Sequence, residues 1–473
     1  MTLRRRTLAL LFVLLLPAVT TRIYASDEIQ YFSFLRSFWF DRDLSFDNEY
    51  RFLEAQGVAP GSGFHETNLQ DTTGTGRRLN FGTIGSALLW SPFYGVGHLV
   101  ALALKASGVA VATDGYSKPY VAAVCYGSAF YGFVALLVAR ALARRLVGEP
   151  ALMPLAIWVG TPLLFYMYLA PVFAHACSAF MVAVFTWTWI KVRERWSVRG
   201  LAALGALAAI MAMVREQDAF FVAGPAVDLL ITMAGRLRGT RPDAPSARTI
   251  VLGIAAAAVT GVLVSLPQTA AYLYLNGQLR PSNLVIRKMS WTAPHALEVM
   301  FSPEHGLFFW TPLALLAMAG LAALLVRNPR TLEPRNPRTA EPRHRQVVFC
   351  LLIMFALQVY VAGSVESWTV AGAFGQRRFV SLTTILVIGL AAFWQFAAVW
   401  PSVLRRAAAV AIAACVWWNV GLMFQFGTNT MDRQRLNIGD NARQSFVELP
   451  LAAPSLVWRY FTNRSSFYRQ PPQ

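Results

Sequence analysis

The sequence predicts an all-α polytopic membrane protein of about eleven transmembrane helices, and three observations predict it. Hydrophobic residues fill 56% of the 473 positions and charged residues only 14%, with a mean hydropathy of +0.45. A soluble domain cannot hide that much apolar surface in a core. The apolar residues come in runs of roughly 17 to 25, the length that crosses about 30 Å of hydrocarbon as a helix. Arginine and lysine gather in short polar stretches between alternate runs, as they do in cytoplasmic loops.

The first run follows Arg4, Arg5 and Arg6 and contains Pro17. It reads either as a cleaved signal peptide ending near Ala25 or as a retained helix from Thr7, with Arg22 snorkelling at its outer end. Both readings place Asp27 outside. Further runs lie near 82–104, 119–139, 151–168, 171–190, 199–214, 219–235, 249–272, 306–326, 346–364, 380–400 and 407–425. The run at 82–104 differs from the others, because it contains Gly82, Gly85, Pro92, Gly95, Gly97 and His98 and has few positive flanks.

Charge asymmetry decides whether that run spans. If it does not, 22 of the 42 Lys and Arg residues fall on the cytoplasmic side against six of the 24 acidic residues. If it does, every later loop flips and the short Arg-rich connections land outside, against the positive-inside rule. The segment is therefore expected to lie on the outer leaflet or dip into it. The N-terminus is then cytoplasmic and the C-terminus extracytoplasmic. Residues 1–425 form one transmembrane domain, whose large first outer loop (24–118) carries interfacial helices, and 426–473 form an extracytoplasmic tail. The stretch Arg327–Arg345, rich in Arg and Pro, reads as a disordered cytoplasmic linker in contact with anionic lipid.

Several function classes are excluded. The net charge of +18 is spread between apolar runs rather than gathered on a soluble face, so nucleic acid is not an expected partner. The four cysteines, Cys125, Cys177, Cys350 and Cys415, lie inside apolar segments without metal-ligand spacing. No Gly-rich phosphate loop of the Walker or dinucleotide type is present, so nucleotide hydrolysis has no visible machinery.

The chemistry is expected in the outer loops. Ten of the 24 acidic residues fall in the first one, and most are ordinary solvated carboxylates. Asp27 and Glu28 differ, because they follow the first helix within about two residues and are held at the lipid head groups. Partial desolvation there raises a carboxylate's basicity and suits it to take a proton from a hydroxyl. The simpler alternative is that either residue caps the helix over IQYFSFLRSF. Positive complements on the same side are Arg215 in MVREQD, Arg377 and Arg378 in AFGQRRF, and Arg77 and Arg78 before the interfacial segment. Arginine can give a phosphate two parallel hydrogen bonds, and the Gly-containing FGQRRF loop can turn backbone N–H groups toward an anion. Interfacial anchoring is the simpler reading of each arginine. His175, within the run at 171–190, is either a satisfied buried histidine or a metal or substrate ligand. Glu304 and His305 mark an interfacial turn.

Taken together, these features resemble the GT-C class of glycosyltransferases, which take sugars from polyprenyl-phosphate carriers and include protein O-mannosyltransferases and aminoarabinose transferases. The resemblance rests on the acidic pair in SDEIQY, the segment NFGTIGSALLWSPFY late in the first loop, the Gly-rich helix ending at Arg215, the FGQRRF loop and the eleven-span layout. It covers most of residues 7–272 in organisation and is weaker beyond. It implies Asp27 as catalytic base with Glu28 beside it, and Arg215 as holder of the carrier phosphate. Arg377, Arg378, Arg78 and His175 are the further binding candidates. The implied partners are a polyprenyl-phosphate sugar donor, a lipid, glycan or protein acceptor, and membrane lipids. The implied location is a bacterial cytoplasmic membrane with the site facing the periplasm. The chain lacks the Glu-Lys-Pro-Pro style segment of aminoarabinose transferases, with RRLNFG in its place; no cofactor is required, and a divalent metal is left open. The alternative is a multi-spanning transporter or lipid flippase, against which stand spans almost free of charge and no evident half-repeat.

Overall fold

In the computed structural model, which describes residues 5–60, 63–241, 244–326 and 341–463, the protein is all-helical. Among these residues pairing of the β type is confined to two isolated bridges, Thr72 with Arg78 and Met289 with Val365. Of the stretch Arg327–Arg345 expected to be a disordered linker, residues 327–340 lie outside the described residues and 341–345 form the first turn of a helix; the end of the tail also lies outside them.

The chain opens with α1 (Arg5–Leu15), α2 (Ser26–Arg36), α3 (Asp47–Ala55), α4 (Phe64–Asn68) and α5 (Gly85–Ala106). The bundle continues with α6 (Lys118–Leu146), α7 (Met153–Val159), α8 (Pro162–Tyr168), α9 (His175–Val192), α10 (Val198–Val214), α11 (Ala223–Leu237) and α12 (Ala247–Asn276). Short helices α13 (Asn283–Arg287), α14 (Ala296–Phe301) and α15 (Leu307–Trp310) lead into α16 (Leu313–Val326), α17 (Glu341–Ser364), α18 (Thr383–Ala397) and α19 (Ser402–Thr428). The tail forms α20 (Ile438–Arg443) and α21 (Leu449–Thr462), joined by a π-helical turn over Gln444–Glu448. Among the described residues seven helical stretches are long and apolar enough to cross a membrane, with α10 and α16 as shorter apolar helices.

Small residues set the closest helix contacts, because without a hydrophobic drive between helices in lipid the backbones must approach for dispersion to act. A Cβ on Gly205 of α10 would stand 2.1 Å from the Ala257 carbonyl oxygen of α12. One on Gly320 of α16 would meet the Gly389 carbonyl oxygen of α18 at the same distance. Thr260 Oγ1 adds an interhelical hydrogen bond of 2.8 Å to Ala202 O.

The placement of α5 explains its unusual sequence. By length and composition it is one of the seven long apolar stretches, and it packs against the first half of α6. Gly97 packs on Pro119 and Tyr120, Trp90 Nε1 donates to Ser128 Oγ at 2.8 Å, and Tyr131 Oη donates to Leu89 O at 2.7 Å. Those contacts stop about 13 Å short of Arg140 at the helical rise. These contacts lay α5 along the Pro119–Tyr131 part of α6.

After α19 the chain turns back on itself. Asn429 takes a left-handed conformation (φ 58°) and reverses the chain, and α20 with the π turn packs back along α19. Gln425 Nε2 donates to Ser445 Oγ at 2.8 Å, Trp417 Nε1 donates to Ser445 O at 2.7 Å, and Phe446 stacks on Trp418. The segment from α20 through the π turn is thus docked on α19.

Candidate active site

Five segments distant in sequence meet at one end of the bundle. The start of α2 brings Asp27, the start of α9 His175 and the end of α10 Arg215. The turn before α18 brings Arg377 and Arg378, and α8 supplies Tyr166. Arg377 Nη1 donates to Asp27 Oδ2 at 2.6 Å, the two side chains being 17% and 37% exposed. The Arg377 guanidinium also stands 5.4 Å from the Phe173 ring centre, a cation–π distance. Arg215 Nη1 donates to His175 Nδ1 at 2.9 Å and its Nη2 to Gln217 Oε1 at 3.2 Å. A guanidinium cannot accept a proton, so Nδ1 of His175 is the acceptor and the ring proton sits on Nε2. His175 is therefore a neutral donor through Nε2, in face contact with Phe173 and 4.4 Å from Tyr166.

Arg378 is buried and bonds only to neutral acceptors: Nη1 donates to Ser367 O at 3.0 Å and Nη2 to Ser367 Oγ at 3.3 Å. Its own carbonyl accepts from Gln358 Nε2 at 2.8 Å and Gln217 Nε2 at 3.3 Å. The loop before it is held by Gln376, which donates to Trp368 O at 3.0 Å and His305 O at 3.3 Å. His305 is stacked on Trp310, donates through Nε2 to Ala373 O at 2.8 Å, and burial pushes its pKa down to about 4. His305 is thus a neutral prop for the arginine loop.

Several sequence expectations change here. Glu28 is completely buried and reaches back to the start of its own helix, accepting from Tyr24 N at 2.9 Å and Ala25 N at 3.2 Å. Burial raises its pKa to about 8. Its bonded oxygen is committed to the backbone that orients Asp27, so Glu28 positions the helix instead of joining the arginines. Arg78 is also elsewhere: it pairs with Asp47 at 2.7 Å and donates to Leu69 O, tying α3 to the loop before α5. Arg77 lies over the Tyr274 ring at 3.9 Å. The FGQRRF amides are not free for an anion at Arg377 and Phe379, whose N–H groups bond within the turn to Gly375 O at 2.9 Å and Gln376 O at 3.0 Å.

The segment Asn80–Gly85 proves to be a brace. Phe81 N donates to Gln30 Oε1 of α2 at 2.6 Å, Thr83 Oγ1 to Val214 O of α10 at 2.9 Å, and Ile84 N to Gln268 Oε1 of α12 at 2.9 Å. A Cβ on Gly85 would strike the Met213 carbonyl carbon at 2.3 Å. This brace couples the helix of Asp27 to the segment of Arg215. Residues that sequence reasoning missed are mostly amides, Gln30, Gln217, Gln268, Gln358 and Gln376; the available signal was a neutral polar side chain recurring in apolar surroundings.

Among the described residues no three His, Cys, Asp or Glu side chains are grouped to hold a metal ion. The arrangement offers instead one carboxylate, a neutral imidazole and three guanidiniums, a set suited to an anion next to a hydroxyl. Compared with known proteins, the chain matches no family model and no curated protein.

Proposed function

We propose that the chain is a membrane glycosyltransferase that moves a sugar from a polyprenyl-phosphate donor to a lipid, glycan or protein acceptor at the extracytoplasmic face. The observation that carries this reading is the meeting of Asp27 with Arg377, Arg215 and Arg378. The arginines suit a carrier phosphate, and Asp27, at 37% exposure, is accessible to an acceptor hydroxyl. Asp27 removes the hydroxyl proton as that oxygen bonds to the anomeric carbon. The bond from the anomeric carbon to the phosphate oxygen breaks, with inversion, and the electron pair leaves on the phosphate. Guanidiniums stabilise the charge that grows there. Arg377 serves twice: it pairs with Asp27 before binding, and transfer of its hydrogen bonds to the phosphate frees the carboxylate as base.

Orientation follows from where the charges lie along each helix. His175 begins α9 while Lys191 ends it; Arg215 follows α10 while Arg199 begins it; Arg140, Arg144 and Arg145 end α6. The site is thus at the end opposite to the Arg-rich connections, and the positive-inside rule puts it outside. The eleven spans are α1, α6, the broken pair α7 and α8, α9, α10, α11, α12, α16, α17, α18 and α19, with α5 entering the outer leaflet only. The N-terminus is cytoplasmic, α19 ends outside, and a bacterial cytoplasmic membrane with a periplasmic site fits a carrier-linked donor.

Asp27→Asn tests the reading. In membranes supplied with polyprenyl-phosphate sugars, the variant should insert normally and lose transfer by roughly 10²-fold or more. Undiminished transfer would remove Asp27 as base, and solute flux without glycosidic product would place the chain among transporters.

A further inference from the structure

Asp218 shares a segment with Arg215 and Gln217, and its side chain is completely buried. Ser178 Oγ donates to its Oδ2 at 2.6 Å, Ser381 lies beside it, and it stands in the field of Arg215. Ser178 is one turn beyond His175 on α9, and Ser381 is one turn beyond Arg378. One carboxylate therefore touches all three arms that bring His175, Arg215 and Arg378 together. Oδ1 is buried without a hydrogen-bond partner.

A buried carboxylate with hydroxyl partners is unfavourable unless a nearby cation compensates it. The other carboxylates at this end are engaged: Asp27 with Arg377, and Glu216 with the Tyr272 hydroxyl. Arg215 and Arg378 are bonded to neutral acceptors only. Three guanidiniums in a partly buried space repel one another, and an internal negative charge relieves that repulsion.

We infer that Asp218, whose backbone N–H bonds to Arg215 O at 2.9 Å, is a built-in counter-anion to Arg215, offsetting its charge in the absence of an anionic ligand and lowering the site's affinity for one. The inference rests on the anion-site reading given above and deepens it: the site is tuned to hold phosphate weakly enough to release it. Removing the charge while keeping the shape should then tighten binding, which loss of a merely structural contact would not do.

The test is phosphate binding to the full chain in nanodiscs at fixed ionic strength, with inorganic phosphate as probe. In Asp218→Asn, whose amide oxygen can still accept from Ser178, the dissociation constant should fall roughly five- to tenfold. Ser178→Ala, which keeps the charge, should stay within about twofold of wild type. Equal or weaker binding by Asp218→Asn would overturn the counter-anion role. Should that variant not fold, a loss of affinity in Ser178→Ala would overturn it, because the tie and not the charge would then matter. Arg215→Ala separates the two claims: if it leaves phosphate binding intact, the anion site itself is wrong whatever Asp218 does.

Discussion

Two adjacent acidic residues, Asp27 and Glu28, have different work because a helix turns consecutive side chains by about 100°. Asp27 is left to meet Arg377, while Glu28, three residues into the cap, folds back on Tyr24 and Ala25. Glu28→Gln should retain transfer, since an amide oxygen accepts the same two N–H donors. Glu28→Ala should cost about 1 kcal/mol of stability through the lost cap, measured by thermal unfolding in detergent. Adjacency made the pair look alike in sequence; only burial separates them. The pH dependence follows from the same burial. Glu28 and Glu49 both have pKa values raised to about 8 by desolvation, above the unfolded value, so the folded state binds more protons between pH ~4.5 and ~8. Stability from these groups is present at the acid end of that window and is lost as pH rises through about 8. Glu49→Gln should flatten this decline, and a decline of unchanged slope would remove Glu49 from the account.

At the scale of elements, the apolar runs of the sequence gave the helices well, because a 3.6-residue helix is the only open-ended element that satisfies its backbone in lipid. The partners of each helix were less visible. Gly205 and Gly320 mark their interfaces plainly, since a side chain there would meet carbonyl oxygen. Gly205→Leu should separate α10 from α12 and displace Arg215, lowering both melting temperature and transfer; a variant with wild-type melting behaviour would contradict that packing. The NFGTIG stretch was legible as special but not as a brace, because its partners Gln30, Val214 and Gln268 are 50, 131 and 184 positions away in the chain. Arg78 was read as a site residue for want of knowing that Asp47 would claim it. The return of the chain along α19 is fixed by Gln425, Trp417 and Ser445, contacts made only once the chain has turned at Asn429.

For the whole molecule, the fold class was written in composition and run length, and the proposed side of the membrane rests on the distribution of arginine. What was not written is convergence: that Asp27, His175, Arg215 and Arg377 meet at one end of the bundle depends on how the helices pack, and no local spacing encodes it. Orientation is checked by labelling single cysteines with an impermeant maleimide. Positions 105 and 435 should react from outside and positions 144 and 406 only after permeabilisation; the reverse pattern would invert the topology and move the cluster to the cytoplasmic face. The central claim concerns chemistry at that cluster, and its most direct measurement uses the purified protein in liposomes with a radiolabelled polyprenyl-phosphate sugar and an extract of envelope lipids, glycans and proteins as acceptors. The account predicts label transferred into an acceptor, with free polyprenyl phosphate released in equal amount, by wild type but not by Asp27→Asn. Label that remains on the carrier with active wild-type protein, or equal transfer by both, would contradict it.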